Sequence, residues 1–356
     1  MRRRSSRSGA RSRSARSTSS WGWVENWLAC LPRAEAPKLA VLRDDDRAVA
    51  ACFLGRRLAW QRRLVPARAL YLNTTGVPRI DDLWIEYNGL VGASGMSIER
   101  LVEAVSDQLP GAGGWDELVL PALDEHAFGG LRDADHPAYR VLVTRRVPAY
   151  FVDLAKVRAA GYLPLLSGQT RSQVKRARRL AGDLEVTVAR ELAEAIEIYD
   201  ELTVLHGAQW RVKHEPGAFA DPWFDRVHRR LIATRFEHGE IELLRVRSGH
   251  QTIGCLYNHV FAGRVLQYQS GLAMYEDPHL KPGYICHSVA IERAATLGRD
   301  VYDLLAGDMR YKKSLSTDLG WLVWGKVQRR RLRFTLEDRA MTLWRTRRAA
   351  SAAARS

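Results

Sequence analysis

The chain has 356 residues, 46% of them hydrophobic and 27% charged, enough for two domains that each bury a core. Its formal charge is +15 and is placed unevenly along the chain. No apolar run approaches the roughly 18 residues of a membrane span, and the basic N-terminus has no apolar core segment, so neither a transmembrane helix nor a secretory signal is expected.

Residues 1–20 carry seven arginines, eight serines and no acid. Such a segment buries nothing and is expected to be a disordered tail. Two readings fit it: an arm for nucleic acid or an anionic membrane, or an unselected extension. The fold is expected to begin at Trp21 with a short aromatic-rich helix. Strands follow at about Lys38–Arg43 and Val49–Arg57, then at Ala69–Asn73 and Leu83–Asn88. Ser97 is placed to cap a helix carrying Ile98, Leu101, Val105 and Leu109 at helical spacing. Gly111–Gly114 ends it, Glu117–Leu120 is the next strand, and Arg140–Val147 closes a first half over residues 21–165.

A second half, 166–340, opens with a helix at Thr170, which forms a capping-box pattern with Gln173. A helix over Glu191–Leu205 follows, then one begun by Asp221 as cap and Pro222 at its first position. Strands come next at Ile241–Val246, Thr252–Phe261 and Arg264–Gly271, then a helix from about Tyr284 and a strand at Val301–Leu305. Residues 341–356 are rich in Arg, Ala and Ser and are expected to fray.

The chain repeats itself. Lys38–Cys52 and Ile241–Cys255 are each an apolar strand, a polar turn and a second apolar strand ending in Cys. Ser97–Asp124 and Ser288–Asp308 are each an Ile-Glu-Arg helix, a Gly-containing turn and a strand ending in Asp. This matching order predicts a duplicated α/β unit in which Cys52 superposes on Cys255 and Asp124 lies near Asp308. Cys30, Cys52, Cys255 and Cys286 are far apart and lack metal-ligand spacing, so a reducing, cytoplasmic setting without a metal is expected.

Several residues are candidates for chemistry. Arg171, Lys175, Arg176, Arg178 and Arg179 load one helix with positive charge, either for an anionic ligand or as a solvated face. His206 and Trp210 fall near a helix end; the histidine either accepts a proton or caps carbonyls, and the tryptophan either walls a pocket or packs. Glu86 and Asn88 share a face by strand alternation, lining a cleft between the halves or standing isolated on an edge. The chain has no GxxxxGK[ST] loop, GxSxG elbow, HExxH or paired CxxC, which removes support for nucleotide hydrolysis, serine-hydrolase chemistry and zinc chemistry.

The order of the second half (helix, helix, three strands, loop, helix, strand) resembles the GNAT acyltransferase fold. Over about Trp21–Leu332, the segments LNTTGVPRIDDLWIEYNGLV, LSGQTRSQVKRARRL, LHGAQWR and GYICHSVAIERAATLGRDVYDLLAGDMRYKKSLS look like the CelD-type, BioF2-like acetyltransferases linked with bacterial cellulose or exopolysaccharide formation. That group is related to the Fem-type peptidyltransferases. The resemblance implies an α/β (α+β) fold of tandem GNAT-like halves, each a mixed, mostly antiparallel sheet flanked by helices. It implies acetyl-CoA or another acyl-CoA as co-substrate, and a small amine or amino-sugar acceptor. The donor phosphates would lie at His279–Tyr284, where Lys281 supplies charge and Gly283 and Tyr284 open a helix. The family's glycine-richer loop is not met in full there. Gly307-Asp308-Met309-Arg310-Tyr311-Lys312 matches the group's Gly-Asp-x-x-Tyr-Lys. It implies Asp308 as a base or orienting group, Tyr311 as an acid for the departing thiolate, and Lys312 as a phosphate contact. A salt-bridged turn with Tyr311 packed is the alternative. No cysteine sits as a nucleophile, so direct attack is expected. Two other functions stay open: an aminoacyl-tRNA-dependent peptidyltransferase, and a non-catalytic RNA- or membrane-surface-binding protein.

Overall fold

The computed structural model describes residues 20–61, 65–83, 86–92, 97–108, 114–133 and 136–353. The Arg/Ser segment at residues 1–19 lies outside them, as does Leu109.

Twelve strands and twelve helices are described. The first part of the chain contains α1 (Trp21–Cys30), β1 (Lys38–Asp44), β2 (Arg47–Gln61), β3 (Val65–Leu72), α2 (Pro78–Asp81), β4 (Val91–Gly92), α3 (Ile98–Gln108), β5 (Glu117–Asp124), α4 (Glu125–Asp133) and β6 (Tyr139–Asp153). Then come α5 (Leu154–Ala160), α6 (Tyr162–Leu165), α7 (Gly168–Ala181), β7 (Leu184–Val188), α8 (Leu192–Val212) and α9 (Pro222–Arg235). The chain closes with β8 (Ile241–Ser248), β9 (Gln251–Phe261), β10 (Arg264–Leu272), α10 (Pro282–Thr296), β11 (Val301–Ala306), α11 (Arg310–Leu315), β12 (Asp318–Arg329) and α12 (Leu332–Ala353).

All twelve strands join one sheet in the order β1-β2-β3-β5-β12-β6-β11-β10-β9-β8-β7, with β4 added on β2. The pairing repeats. In the first half β1–β2–β3 is antiparallel and β5 joins β3 in parallel; in the second, β8–β9–β10 is antiparallel and β11 joins β10 in parallel. The helix before each parallel strand, α3 or α10, is the crossover such a connection requires. Beyond that point the halves exchange strands. β12 lies beside β5 of the first half, β6 lies beside β11 of the second, and β6 and β12 pair antiparallel through twelve positions, from Phe151↔Asp318 to Tyr139↔Arg329.

The hairpin repeat is real, but its register differs by one residue from the sequence expectation. Both turns span two residues, Asp45–Asp46 and Gly249–His250, and both hairpins slip one residue at the same distance from the turn. Matched turn to turn, Cys52 corresponds to Leu256 and Cys255 to Ala51. A one-residue shift turns every side chain to the other face of a sheet. Cys52 accordingly packs with Leu101 and Val105 of α3, while Cys255 packs with Ile198 and Leu202 of α8 and Phe224 of α9.

Other elements depart from expectation for local reasons. α7 begins two residues before Thr170, because the Ser167 hydroxyl accepts the Thr170 N–H. The start of α9 agrees with the Asp221-Pro222 signal, the Asp221 carboxylate accepting the Trp223 N–H. Leu83–Asn88 is not a strand where described: Tyr87 has φ +53 and Asn88 makes a single bridge to Leu123. The segment expected to fray continues α12 to Ala353, consistent with the helix preference of Ala and Arg. β7 and β12 have no counterpart among the expected elements. Both faces of β12 carry apolar residues, so it shows no clean alternation. α1, first in the chain, buries Trp23 and Trp27 against α9 of the second half.

Candidate active site

The parallel pairing of β10 and β11 holds only at Arg264–Leu266 with Val301–Asp303. Past those residues the strands diverge. β10 bulges there, leaving Tyr268 unpaired between Gln267 and Gln269. β11 slips against β6 between Asp303 and Ala306, and Leu305 takes φ +64. A leucine is strained at that φ. The Asp303 carboxylate steadies it by accepting the Leu305 N–H at 2.8 Å. The opening leads into a cleft of about 830 Å³ lined by β10, the end of β11, the start of α10, the end of α8 and part of α11.

The equivalent opening of the first half, past β3 and β5, is filled by the chain itself. Asn88 donates its N–H to Ala122 O at 3.0 Å and its Nδ2 to Leu72 O at 2.9 Å, and accepts Asn73 Nδ2 at 2.7 Å. Asn88 is thus a buried structural plug away from the cleft. Its two predecessors reach the other way. Tyr87 donates its hydroxyl to Asp303 at 2.7 Å, beside the ion pair that Asp303 makes with Arg264. Glu86 accepts the Ala306 N–H at 2.7 Å, at the end of β11, and faces the cleft. Burial pushes its carboxyl up to about 7, against the opposing pull of the Ala306 N–H and the Lys312 ammonium.

The Gly307–Lys312 segment divides around this point. Asp308 is exposed, accepts the Tyr150 hydroxyl at 3.2 Å and is not among the cleft-lining residues. Tyr311 lines the cleft, stacks on His287 with ring centroids 5.7 Å apart, and is pushed up to about 12 by burial. Lys312 is buried and donates to Ala306 O at 2.6 Å and Leu305 O at 3.4 Å. Burial lowers its pKa, and the nearby Glu86 and Asp303 oppose this. Its ammonium therefore ties down the end of β11 rather than reaching outward.

α8 runs seven residues past its expected end, so His206 and Trp210 sit one turn apart on its last turns, both in the cleft. His206 caps no carbonyl. Its ring packs edge-on to Phe219 at 4.8 Å, Nδ1 has no hydrogen-bond partner, and burial then Lys213 lower its pKa to about 4. Gly217, at φ +70, lies against both rings: a Cβ there would stand 2.9 Å from Trp210 Cγ. Lys213 covers the Trp210 ring at 4.3 Å.

At the opposite end, Lys281, Gly283 and Tyr284 line the cleft at the start of α10. Lys281 donates to Gln173 of α7 at 3.1 Å and lies 5.3 Å over the Tyr284 ring. Pro282 has no N–H, and those of Tyr284 and Ile285 turn back to Lys281 O. Gly283 itself lines the cleft. Of the basic residues on α7, Arg178 is bound to Ser288 and Glu292, Arg171 donates weakly to Leu166 O, and Lys175 is exposed; none of the three lines the cleft. Sequence reasoning missed Gln267, Gln269 and His287, which line the cleft and are nearly buried. The two glutamines stand on a strand whose alternation the bulge interrupts, and His287 falls within an apolar helical run. Among the described residues no group of side chains could hold a metal ion.

Residues 168–313 match the family model of the acetyltransferase (GNAT) domain. A search of curated proteins returns no match. Solved structures similar to the chain include a conserved protein of unknown function from Bacteroides thetaiotaomicron VPI-5482, at 10% identity and TM-score 0.53 over 87% of this chain and 90% of that one. Another is the C-terminal domain (DUF2156) of a putative lysylphosphatidylglycerol synthetase from Agrobacterium fabrum, at 13% identity and TM-score 0.51 over 86% and 92%. FemX aligns at 11% identity and TM-score 0.51 over 84% and 90%. At such identities the likeness is one of fold. The matched span contains the diverging strands, the start of α10 and the Tyr311 segment, and over those residues the chain is similar to a GNAT-type acetyltransferase domain.

Proposed function

We propose that the protein is an N-acyltransferase that moves an acyl group from acyl-CoA to an amine in one direct step. The observation that carries this reading is the opening between β10 and β11, which leads from the start of α10 to a buried carboxyl whose pKa is near 7. Lys281 and the Gly283 N–H would hold the donor phosphates, a charge-assisted contact at a helix start. The strand N–H groups of β10 beyond Leu266 would take the thioester oxygen as it gains charge. Glu86 would accept the proton of the incoming amine. The amine nitrogen bonds to the carbonyl carbon, the carbon–sulfur bond breaks, and Tyr311, kept protonated by its raised pKa, would give its proton to the thiolate. Asp308 stands outside the cleft, so we assign it no proton transfer.

The acceptor would enter at the end with His206 and Trp210. The resemblance to CelD-type sequences supports an amino sugar or small amine of exopolysaccharide or envelope metabolism, and the scattered, unpaired cysteines support a cytoplasmic setting. Thermal unfolding of the full chain with acetyl-CoA, CoA or tRNA tests the donor. A ligand at a hundred times its dissociation constant adds about 2.7 kcal/mol of stability. Stabilisation by both CoA species is expected. Stabilisation by tRNA alone would assign an aminoacyl donor, and stabilisation by none would remove the enzymatic reading.

A further inference from the structure

Among the described residues, the sheet end farthest from the cleft's residues carries exposed apolar side chains. Leu58 and Trp60 on β2 are 60% and 61% exposed, and Leu332 and Leu336, one turn apart on α12, are 83% and 63% exposed. A single cluster joins them. Arg68 is the cross-strand neighbour of Leu58. Its guanidinium, with those of Arg331 and Arg333 on either side of Leu332, converges on the buried carboxylate of Asp116 at 3.5, 2.8 and 2.6 Å. Arg331 and Arg333 remain more than a third exposed beside it.

We propose that this face docks on an anionic lipid bilayer, with Leu58, Trp60, Leu332 and Leu336 entering the headgroup region and the arginines around Asp116 meeting lipid phosphates. Bare electrostatic attraction would suit RNA equally. Exposed leucines do not, because an aliphatic side chain offers a base no stacking surface, whereas burial among acyl chains removes it from water. An exposed tryptophan such as Trp60 suits the boundary between headgroups and hydrocarbon. No described helix is long and apolar enough to cross a membrane, so the association is peripheral.

The test is co-sedimentation of the full chain with large vesicles of phosphatidylcholine, alone or with one third phosphatidylglycerol. Binding to the mixed vesicles, weakened by salt, and little to phosphatidylcholine alone is expected. The pairs Leu58→Glu with Trp60→Glu, and Leu332→Glu with Leu336→Glu, should each lower partitioning by about tenfold or more. These side chains are exposed, so unchanged thermal midpoints verify the fold. Wild-type partitioning in both pairs would overturn the proposal and assign binding to the basic N-terminal segment, which they retain. So would equal binding to both kinds of vesicle. Binding to a mixed-sequence RNA without binding to either vesicle would overturn it in favour of a nucleic-acid surface.

Discussion

Burial lifts a carboxyl far above its value in water even where a lysine and a backbone N–H oppose it, and Glu86 titrates near 7 instead of 4.5. In the free enzyme this places its ionisation where a base would act. With Glu86 as the proposed base, kcat/KM should rise with pH up to about 7 and then level off. Glu86→Gln should remove that limb and lower kcat by about 10²-fold or more. The sign for stability is opposite. A carboxyl with a raised folded pKa favours folding at low pH, and that contribution is lost as pH rises from about 4.5 through 7. Glu86→Gln should therefore flatten the pH dependence of the thermal midpoint and leave the variant at least as stable as wild type at pH 8. Tyr311→Phe keeps the stacking on His287 and removes only the hydroxyl. It should reduce kcat by about 10²-fold with little change in acyl-CoA affinity, measured by single-turnover kinetics and by calorimetry. The Tyr311 and Lys281 positions were legible because the motif and the Pro-Gly start of α10 are local. Glu86 was named as a cleft residue from a strand alternation that the structure does not have, and its contact with an N–H 220 residues away left no periodic signal.

At the scale of elements, the cleft depends on how closely α8 crosses β10. Gly271 lets them meet: a Cβ there would stand 2.3 Å from the carbonyl oxygen of Leu202. Because the obstacle is backbone, the helix must move to accept any side chain. Gly271→Ala should cost about 1–3 kcal/mol, read from urea unfolding, and should displace His206 and Trp210 on the same helix. Gly168→Ala is the contrasting control, since nothing lies within 4 Å of its Cβ position and the residue starts α7; it should be neutral or stabilise by up to about 1 kcal/mol. Helix starts and strand existence were readable from caps and alternation. Register was not, because the one-residue slip in each hairpin is set by pairing and leaves no mark in composition. The slip is common to both hairpins; it is the length of the first strand, seven residues in β1 and eight in β8, that makes two cysteines that align in the sequence face opposite layers of the molecule.

For the molecule as a whole, the exchanged strands decide what counts as a unit. Residues 166–353 alone would leave β11 without β6 and β12 without either neighbour, and residues 20–165 alone would leave β5 and β6 without β12. Unpaired central strands are aggregation surfaces. Each half expressed singly should be insoluble, and the two produced together should co-purify as one complex by size-exclusion chromatography. Independent folding of either half would show that the exchange is dispensable. The duplication was legible because hairpin, helix and strand recur in order. The exchange was not, because the sequence shows which elements exist and not which partner each takes. It also orders events on the ribosome. Glu117 on β5 pairs with Gln328 on β12, so the first half of the nascent chain must emerge, and wait with its middle strand bare, until almost the last of the sheet has been translated.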